Sequence, residues 1–181
     1  MGLTPLDGLL MGTRCGTLDP AVVQFIANTE NMSVDDVLTM MNKKSGLLGV
    51  SGLSSDMRDI DAAADNYNGD AMLARDMLVY GIKKYIGSYA AAMGGVDMIV
   101  FTAGIGENNG MLRERVMADM EWLGAKLDHA KNAACADGRA TECIVSTDDS
   151  RVKVLVIPTN EEIMIARDTL DLVTVGKVRD N

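Results

Sequence analysis

The sequence predicts a helix-rich α/β domain, and three observations carry that reading. Short β-branched runs at 97–102 and 152–157 each lead straight into a polar, helix-opening segment. Elsewhere apolar residues recur at three- and four-residue spacing, the period of amphipathic helices. Composition agrees, with 48% hydrophobic and 24% charged residues and only three prolines in 181 residues. A chain of this length buries one core of ordinary size, so a single domain over 1–181 is expected.

The elements follow in order. Asp19-Pro20 reads as an N-cap with proline in the first helical position, for a helix over about 20–28. Ser33-Val-Asp-Asp36 is a Ser-x-x-acid start for a second helix reaching about Met41. Ser45-Gly-Leu-Leu-Gly-Val-Ser-Gly-Leu-Ser-Ser55 is rich in turn residues and reads as a loop. After the turn Asn68-Gly69, the longest helix covers about 70–93 and stops at Gly94-Gly95. Its apolar residues Met72, Val79, Ile86 and Met93 recur every seven and must be buried, on the chain's own sheet or on a second copy, with the sheet favoured.

A strand at 97–102 precedes a helix over about 109–123, with Leu112, Val116, Met120 and Leu123 on one face and Gly124 as its stop. A short strand is expected at 125–127, no clear element over 128–142, and paired strands at 143–146 and 152–157 around the turn Thr147-Asp-Asp-Ser150. Thr159-x-x-Glu162 is a capping box for a last helix whose Ile163, Ala166, Leu170 and Val173 face inward, followed by a fraying charged tail.

Charge and cysteines narrow the function. A net charge of −9 argues against a nucleic-acid partner, which calls for clustered Lys and Arg. The three cysteines form no Cys-x-x-Cys pair and are odd in number, which suits reduced thiols and a cytoplasmic setting. No basic-then-apolar leader opens the chain, and no run approaches the ~20 apolar residues that span a bilayer. With His129 the sole histidine, neither a histidine metal cluster nor a Ser-His triad can be assembled.

Four clusters could carry chemistry. In Ile99-Val-Phe-Thr-Ala-Gly-Ile-Gly-Glu-Asn108 a strand breaks into two glycines and a helix start, so backbone can approach a flat or charged group such as a nucleotide. Glycines at 104 and 106 fail the dinucleotide fingerprint, because position 109 is Asn, and no Gly-Lys-Ser/Thr triplet forms a P-loop. Arg14, between two glycines, offers a planar fork for carboxylate or phosphate; a surface arginine is the plainer reading. In Asp56-Met-Arg58 the acid could accept from ribose hydroxyls while Met57 and Arg58 sandwich adenine; the bland alternative is a helix start capped by Ser55 or Asp56. Glu161, after a strand end, could hold Mg²⁺, whereas Glu162 is explained as a first-turn acid.

Taken together and in order, Met1-Gly-Leu-Thr-Pro-Leu-Asp-Gly-Leu9, Met11-Gly-Thr-Arg14, Lys44-Ser-Gly-Leu-Leu-Gly-Val-Ser-Gly-Leu-Ser54, Val100-Phe-Thr-Ala-Gly-Ile-Gly-Glu-Asn108 and Val156-Ile-Pro-Thr-Asn-Glu-Glu162 resemble the carboxy-terminal half of acetate kinases. The resemblance implies one half of the ribonuclease H-like fold shared by sugar kinases, actin and the heat-shock chaperones, a βββαβαβα core with added helices. It implies phosphoryl transfer between ATP and acetate, giving acetyl phosphate and ADP with Mg²⁺; propionate or butyrate kinase is a close variant. Arg14 then matches the arginine that steadies the transferring phosphoryl group. Asp56, Met57 and Arg58 match ribose and adenine contacts, Met57 standing where some relatives have phenylalanine. Gly104, Ile105, Gly106 and Asn108 match the adenosine motif, and Glu161 a carboxylate associated with the metal. A homodimer through this half is also implied. The amino-terminal phosphate loop, acetate-binding arginine, catalytic aspartate and active-site histidines have no match here, so the chain alone is expected to bind nucleotide weakly and not turn over. A non-catalytic folded module is the alternative.

Overall fold

The computed structural model describes residues 2–135 and 142–175. The chain forms two compact units, Met1–Gly95 and Val96–Asn181. Among the described residues no helix is long and apolar enough to cross a membrane.

The first unit is helical. Helix α1 (Ala21–Glu30) starts where the Asp19 carboxylate accepts the Ala21 N–H, and α2 (Val34–Lys43) starts at the expected box, Ser33 Oγ accepting the Asp36 N–H at 3.1 Å. Helix α3 (Gly46–Ser51) replaces the loop expected over 44–55. Gly46 takes φ +64, and a Cβ there would collide with the Met11 carbonyl oxygen. That close approach lets the N–H groups of Leu47 and Leu48 donate to the carbonyls of Met11 and Gly12, both at 2.9 Å. The glycine that suggested a loop is thus what allows the helix to begin.

Helices α4 (Met57–Asp65) and α5 (Gly69–Met93) complete the unit, α5 starting on Asn68 and stopping at left-handed Gly94. The core is formed by Val37, Met41, Leu47, Met57, Ile60 and the α5 face of Ala71, Ala74 and Leu78. The expected heptad stripe is therefore not the buried face. Met72 and Met93 are exposed, Met93 at 66%, and Val79 and Ile86 are half-buried. Small alanines lie inward because α3 and α4 pack closely against α5 at those positions.

The second unit is built on a three-stranded sheet of order β1-β3-β2, comprising β1 (Met98–Phe101), β2 (Cys143–Ile144) and β3 (Lys153–Val156). β1 runs parallel to β3 with Ile99 opposite Val154 and Phe101 opposite Val156, and β2 runs antiparallel to β3 as expected. The predicted strand at 125–127 survives only as isolated bridges of Ala125 to Val152 and Leu127 to Ser146.

Between β1 and β2 lie α6 (Ala103–Asn108), α7 (Gly110–Met117) and α8 (His129–Ala134). The single helix expected over 109–123 breaks after Met117, because Asp119 adopts φ 60, and resumes as a 3₁₀ turn over Glu121–Leu123 before Gly124. Its predicted face, Leu112, Val116, Met120 and Leu123, is buried nonetheless. Helix α8 was not expected; Asp128 caps it by accepting the Lys131 N–H, and the remainder of that stretch, 136–141, lies outside the described residues.

Three further expectations are corrected. Cys135 and Cys143 are joined in a disulfide with Cα atoms 6.2 Å apart, leaving Cys15 as the free thiol. Odd cysteine count misled here, since pairing depends on which residues α8 and β2 bring together. In α9 (Glu161–Val175) the supposed inward residues Ile163, Ala166, Leu170 and Val173 are all exposed, Leu170 at 61% and Val173 at 80%. The Ile163 N–H is capped by Asn160 Oδ1 at 3.0 Å, not by Thr159. The charged tail at 176–181 falls outside the described residues.

These placements make matched substitutions diverge. Leu112→Ala, in the core of the second unit, should lower unfolding free energy by about 2–5 kcal/mol. Leu170→Ala should change it by no more than about 0.5 kcal/mol. Denaturant titration followed by circular dichroism measures both, and equal losses would contradict the placement of α9.

Candidate functional site

In the first unit, the strap to α3 fixes the Met11–Arg14 loop. Besides the two bonds to Leu47 and Leu48, the Ser45 N–H donates to the Thr13 carbonyl at 2.9 Å and the Cys15 N–H to the Met41 carbonyl at 3.0 Å. Arg14 leaves this braced backbone half-buried, its Nη1 only 3.8 Å from Met11 Sδ, and it has no carboxylate partner among the described residues. It borders a cleft of about 630 Å³ with Thr13, Asp35, Leu38, Thr39, Asn42 and Lys43. A guanidinium without a carboxylate, facing a cleft, retains its fork for an anion.

Asp56 is the N-cap of α4, the bland reading of that segment. Its Oδ1 accepts the Arg58 N–H at 2.9 Å and the Arg58 Nε–H at 3.0 Å. The Arg58 side chain is the main reason the Asp56 carboxyl is held down to about 2. Met57 points the other way, 4% exposed and packed in the core, so the expected Met57–Arg58 sandwich is not formed. Helix geometry explains the correction: adjacent helical residues project about 100° apart, and the core needs the apolar one. Asp56 and Arg58 remain as an exposed pair.

In the second unit, β1 gives way to α6 through Thr102 in extended backbone and Ala103 at φ 60. Gly104 needs neither unusual φ nor internal room: a Cβ there would meet nothing within 4 Å. At Gly106 the nearest atom would be Phe101 C at 3.5 Å, ordinary contact. Ile105 is exposed, and Asn108 folds back, its Nδ2 donating to the Gly104 carbonyl at 2.9 Å. Nothing packed within this unit demands a glycine at 104, which leaves the backbone there open to an external group.

Two residues that sequence reasoning passed over, Glu107 and Arg113, hold this turn together with Thr159. Glu107 Oε1 accepts both the N–H and the O–H of Thr159, at 2.8 and 3.0 Å, and those bonds keep its carboxyl below the ordinary value. Arg113 is fully buried and donates from Nη1 to the carbonyls of Gly106 and Glu107 at 2.7 and 2.8 Å. Arg113 sits two helical turns past Gly106, beside the apolar face of Leu112 and Val116; that position on the chain was its only signal.

The Glu107–Thr159 link ties the turn to the segment preceding α9. There Thr159, Asn160, Glu161 and Glu162 border a cleft of about 430 Å³. Glu161 is exposed in the first turn of α9. No group of three or more His, Cys, Asp or Glu that could hold a metal exists among the described residues. The donor set nevertheless suits Mg²⁺, which is commonly held by one or two carboxylates together with substrate phosphates and water.

Comparison with known proteins identifies the family. Residues 1–167 match the acetokinase family. An acetate kinase of Lachnoclostridium phytofermentans is 53% identical over 173 residues, covering 96% of this chain and 43% of the relative. The crystal structure of Porphyromonas gingivalis acetate kinase superposes with a TM-score of 0.88 at 48% identity, over 96% of this chain and 43% of that one. A propionate kinase from Francisella tularensis gives 0.82 at 38% identity, over 92% and 41%. The chain thus spans less than half the length of these relatives. The fold class is borne out: a mixed α/β arrangement with a small mixed sheet, of the acetate kinase kind. By motif order, identity and fold together, this chain belongs to the acetokinase family.

Proposed function

We propose that this chain is the carboxy-terminal, nucleotide-binding half of an acetate kinase, which transfers a phosphoryl group between ATP and acetate to give acetyl phosphate and ADP. The carrying observation is the open space beside Gly104, where a Cβ would meet nothing within 4 Å, in a segment that lies within the family match. In this reading Gly104, Ile105, Gly106 and Asn108 take adenosine, Asp56 accepts from ribose and Arg58 lies against the base. Met57 acts only from the core, by fixing the start of α4. Arg14 steadies the transferring phosphoryl group, whose spreading negative charge a planar guanidinium matches. Glu161 would hold Mg²⁺, which supplies charge neutralisation to the phosphates when bound. The cytoplasmic setting belongs to the same reading, because ATP is the donor.

Binding and turnover should separate in these 181 residues. The contacts proposed for adenosine are present, while those the resemblance implies for acetate and the γ-phosphate have no match, and exposed polar contacts are individually weak. A hydroxamate assay with acetate, or with propionate, and Mg·ATP should therefore show no product from the chain alone. Acetate-dependent turnover that disappears in Arg14→Ala would sink the half-enzyme reading.

Gly104→Ala offers the direct test of the nucleotide loop. Helical geometry and open space at that position predict unchanged stability, or a gain of up to about 1 kcal/mol. ADP affinity by calorimetry should nonetheless fall at least tenfold. A variant that binds ADP as the unaltered chain does would remove the loop from the site.

The homodimer belongs to the same proposal. Met72, Met77, Tyr80, Tyr89 and Met93 of α5 are exposed although apolar, more than a solvated helix ordinarily shows. Light scattering at micromolar concentration should give twice the chain mass, and Tyr80→Glu should return it to one. A monomer mass for the unaltered chain counts against the dimer.

A further inference from the structure

We propose that Arg113 is a positioning residue for the nucleotide loop: its buried guanidinium, aimed by Asn132, sets the backbone of Gly104–Asn108 in its ligand-ready conformation. The ligand in this statement rests on the nucleotide reading above; the anchoring itself rests on geometry alone.

Arg113 has no exposed surface and, among the described residues, forms no salt bridge with a carboxylate. Every nitrogen is nevertheless used. Nε donates to Asn132 Oδ1 at 2.7 Å and Nη2 to the Asn132 carbonyl at 3.2 Å, while Nη1 spans the Gly106 and Glu107 carbonyls. Asn132 is itself fully buried, and its Nδ2 donates to the Gly110 carbonyl at 2.9 Å. Asn132 is therefore held from both sides and cannot turn without releasing the guanidinium.

The carbonyls that Arg113 takes belong to the last turn of α6, where the helix leaves acceptors without intrahelical donors and where a cation is favoured. A six-residue helix that begins on a left-handed alanine has little stability of its own. Glu107 and Thr159 hold its outer side, and Arg113 holds its inner side. Burying a cation without a carboxylate is costly, and an apolar side chain of similar volume would serve the core at least as well. What an apolar replacement could not supply is the directional grip on two successive carbonyls. Lysine could not supply it either, since one ammonium cannot reach both carbonyls and Asn132 with the planar fork.

The test uses the full chain and three variants: Arg113→Lys, Asn132→Ala and, as a core control, Val154→Ala. Amide hydrogen exchange read by NMR reports on residues 105–109, and calorimetry reports ADP affinity. Arg113→Lys and Asn132→Ala should keep the β1–β3 amide signals, lose at least tenfold protection at 106–108, and bind ADP at least tenfold more weakly. Val154→Ala should lose stability yet retain loop protection and ADP affinity. Loop protection within twofold of the unaltered chain in both loop variants would overturn the inference. So would an equal loss in Val154→Ala, or failure of both loop variants to fold, since either outcome makes Arg113 a general core residue. If the unaltered chain itself does not bind ADP, the nucleotide reading falls, and the exchange result alone decides the anchoring role.

Discussion

The parallel pairing of β1 with β3 governs the second unit. Parallel strands deliver their carboxyl ends to the same edge of a sheet, which is where open α/β folds place ligands. With Phe101 opposite Val156, the turn at Thr102–Asn108 and the segment from Ile157 to Glu161 must leave that one edge together. The bonds from Thr159 to Glu107 then join the two exits. Slip this pairing by one residue and the buried Ile99, Phe101, Val154 and Val156 would face the wrong side, so the core enforces the register that makes the edge.

Local polar anchoring finishes what the sheet begins. The α6 turn is short and starts from a left-handed alanine, a conformation that its own hydrogen bonds do not secure. Arg113, Asn132 and Thr159 secure it from outside, Thr159 through the Glu107 carboxylate. The first unit uses the same device at α3, where carbonyls of Met11 and Gly12 satisfy the first N–H groups and so brace the loop that carries Arg14. Both candidate loops are therefore held by other segments of the chain, through side chains at α6 and through backbone groups at α3, rather than by their own propensity.

The contrast between α5 and α9 shows how far periodicity reaches. The turn at Asn68-Gly69 and the stop at Gly94 gave the ends of α5 correctly, because both act within a turn of their own positions. The heptad of Met72, Val79, Ile86 and Met93 did not name the inner face, because close approach of α3 and α4 selects alanines instead. In α9 the apolar residues are spread around the helix, and its burial pattern could not be read from spacing at all. The candidate site was legible to a similar degree. Gly104, Gly106, Arg14 and Asp56 stood out by residue type, whereas the inward turn of Met57 and the roles of Glu107, Arg113 and Asn132 did not.

Sequence alone determined the α/β class, the main strands, the capped start of α2, the ends of α5 and the positions of the candidate glycines and charges. Each of these rests on interactions within a few residues or on motifs whose order is itself the information. Tertiary structure decided the helix at α3, the Cys135–Cys143 bond, the exposed faces of α5 and α9, and the buried arginine behind the loop. Each of those depends on which distant backbone or side chain arrives alongside, such as Met11 at Gly46 and Asn132 at Arg113, and chain spacing carries no record of that arrival.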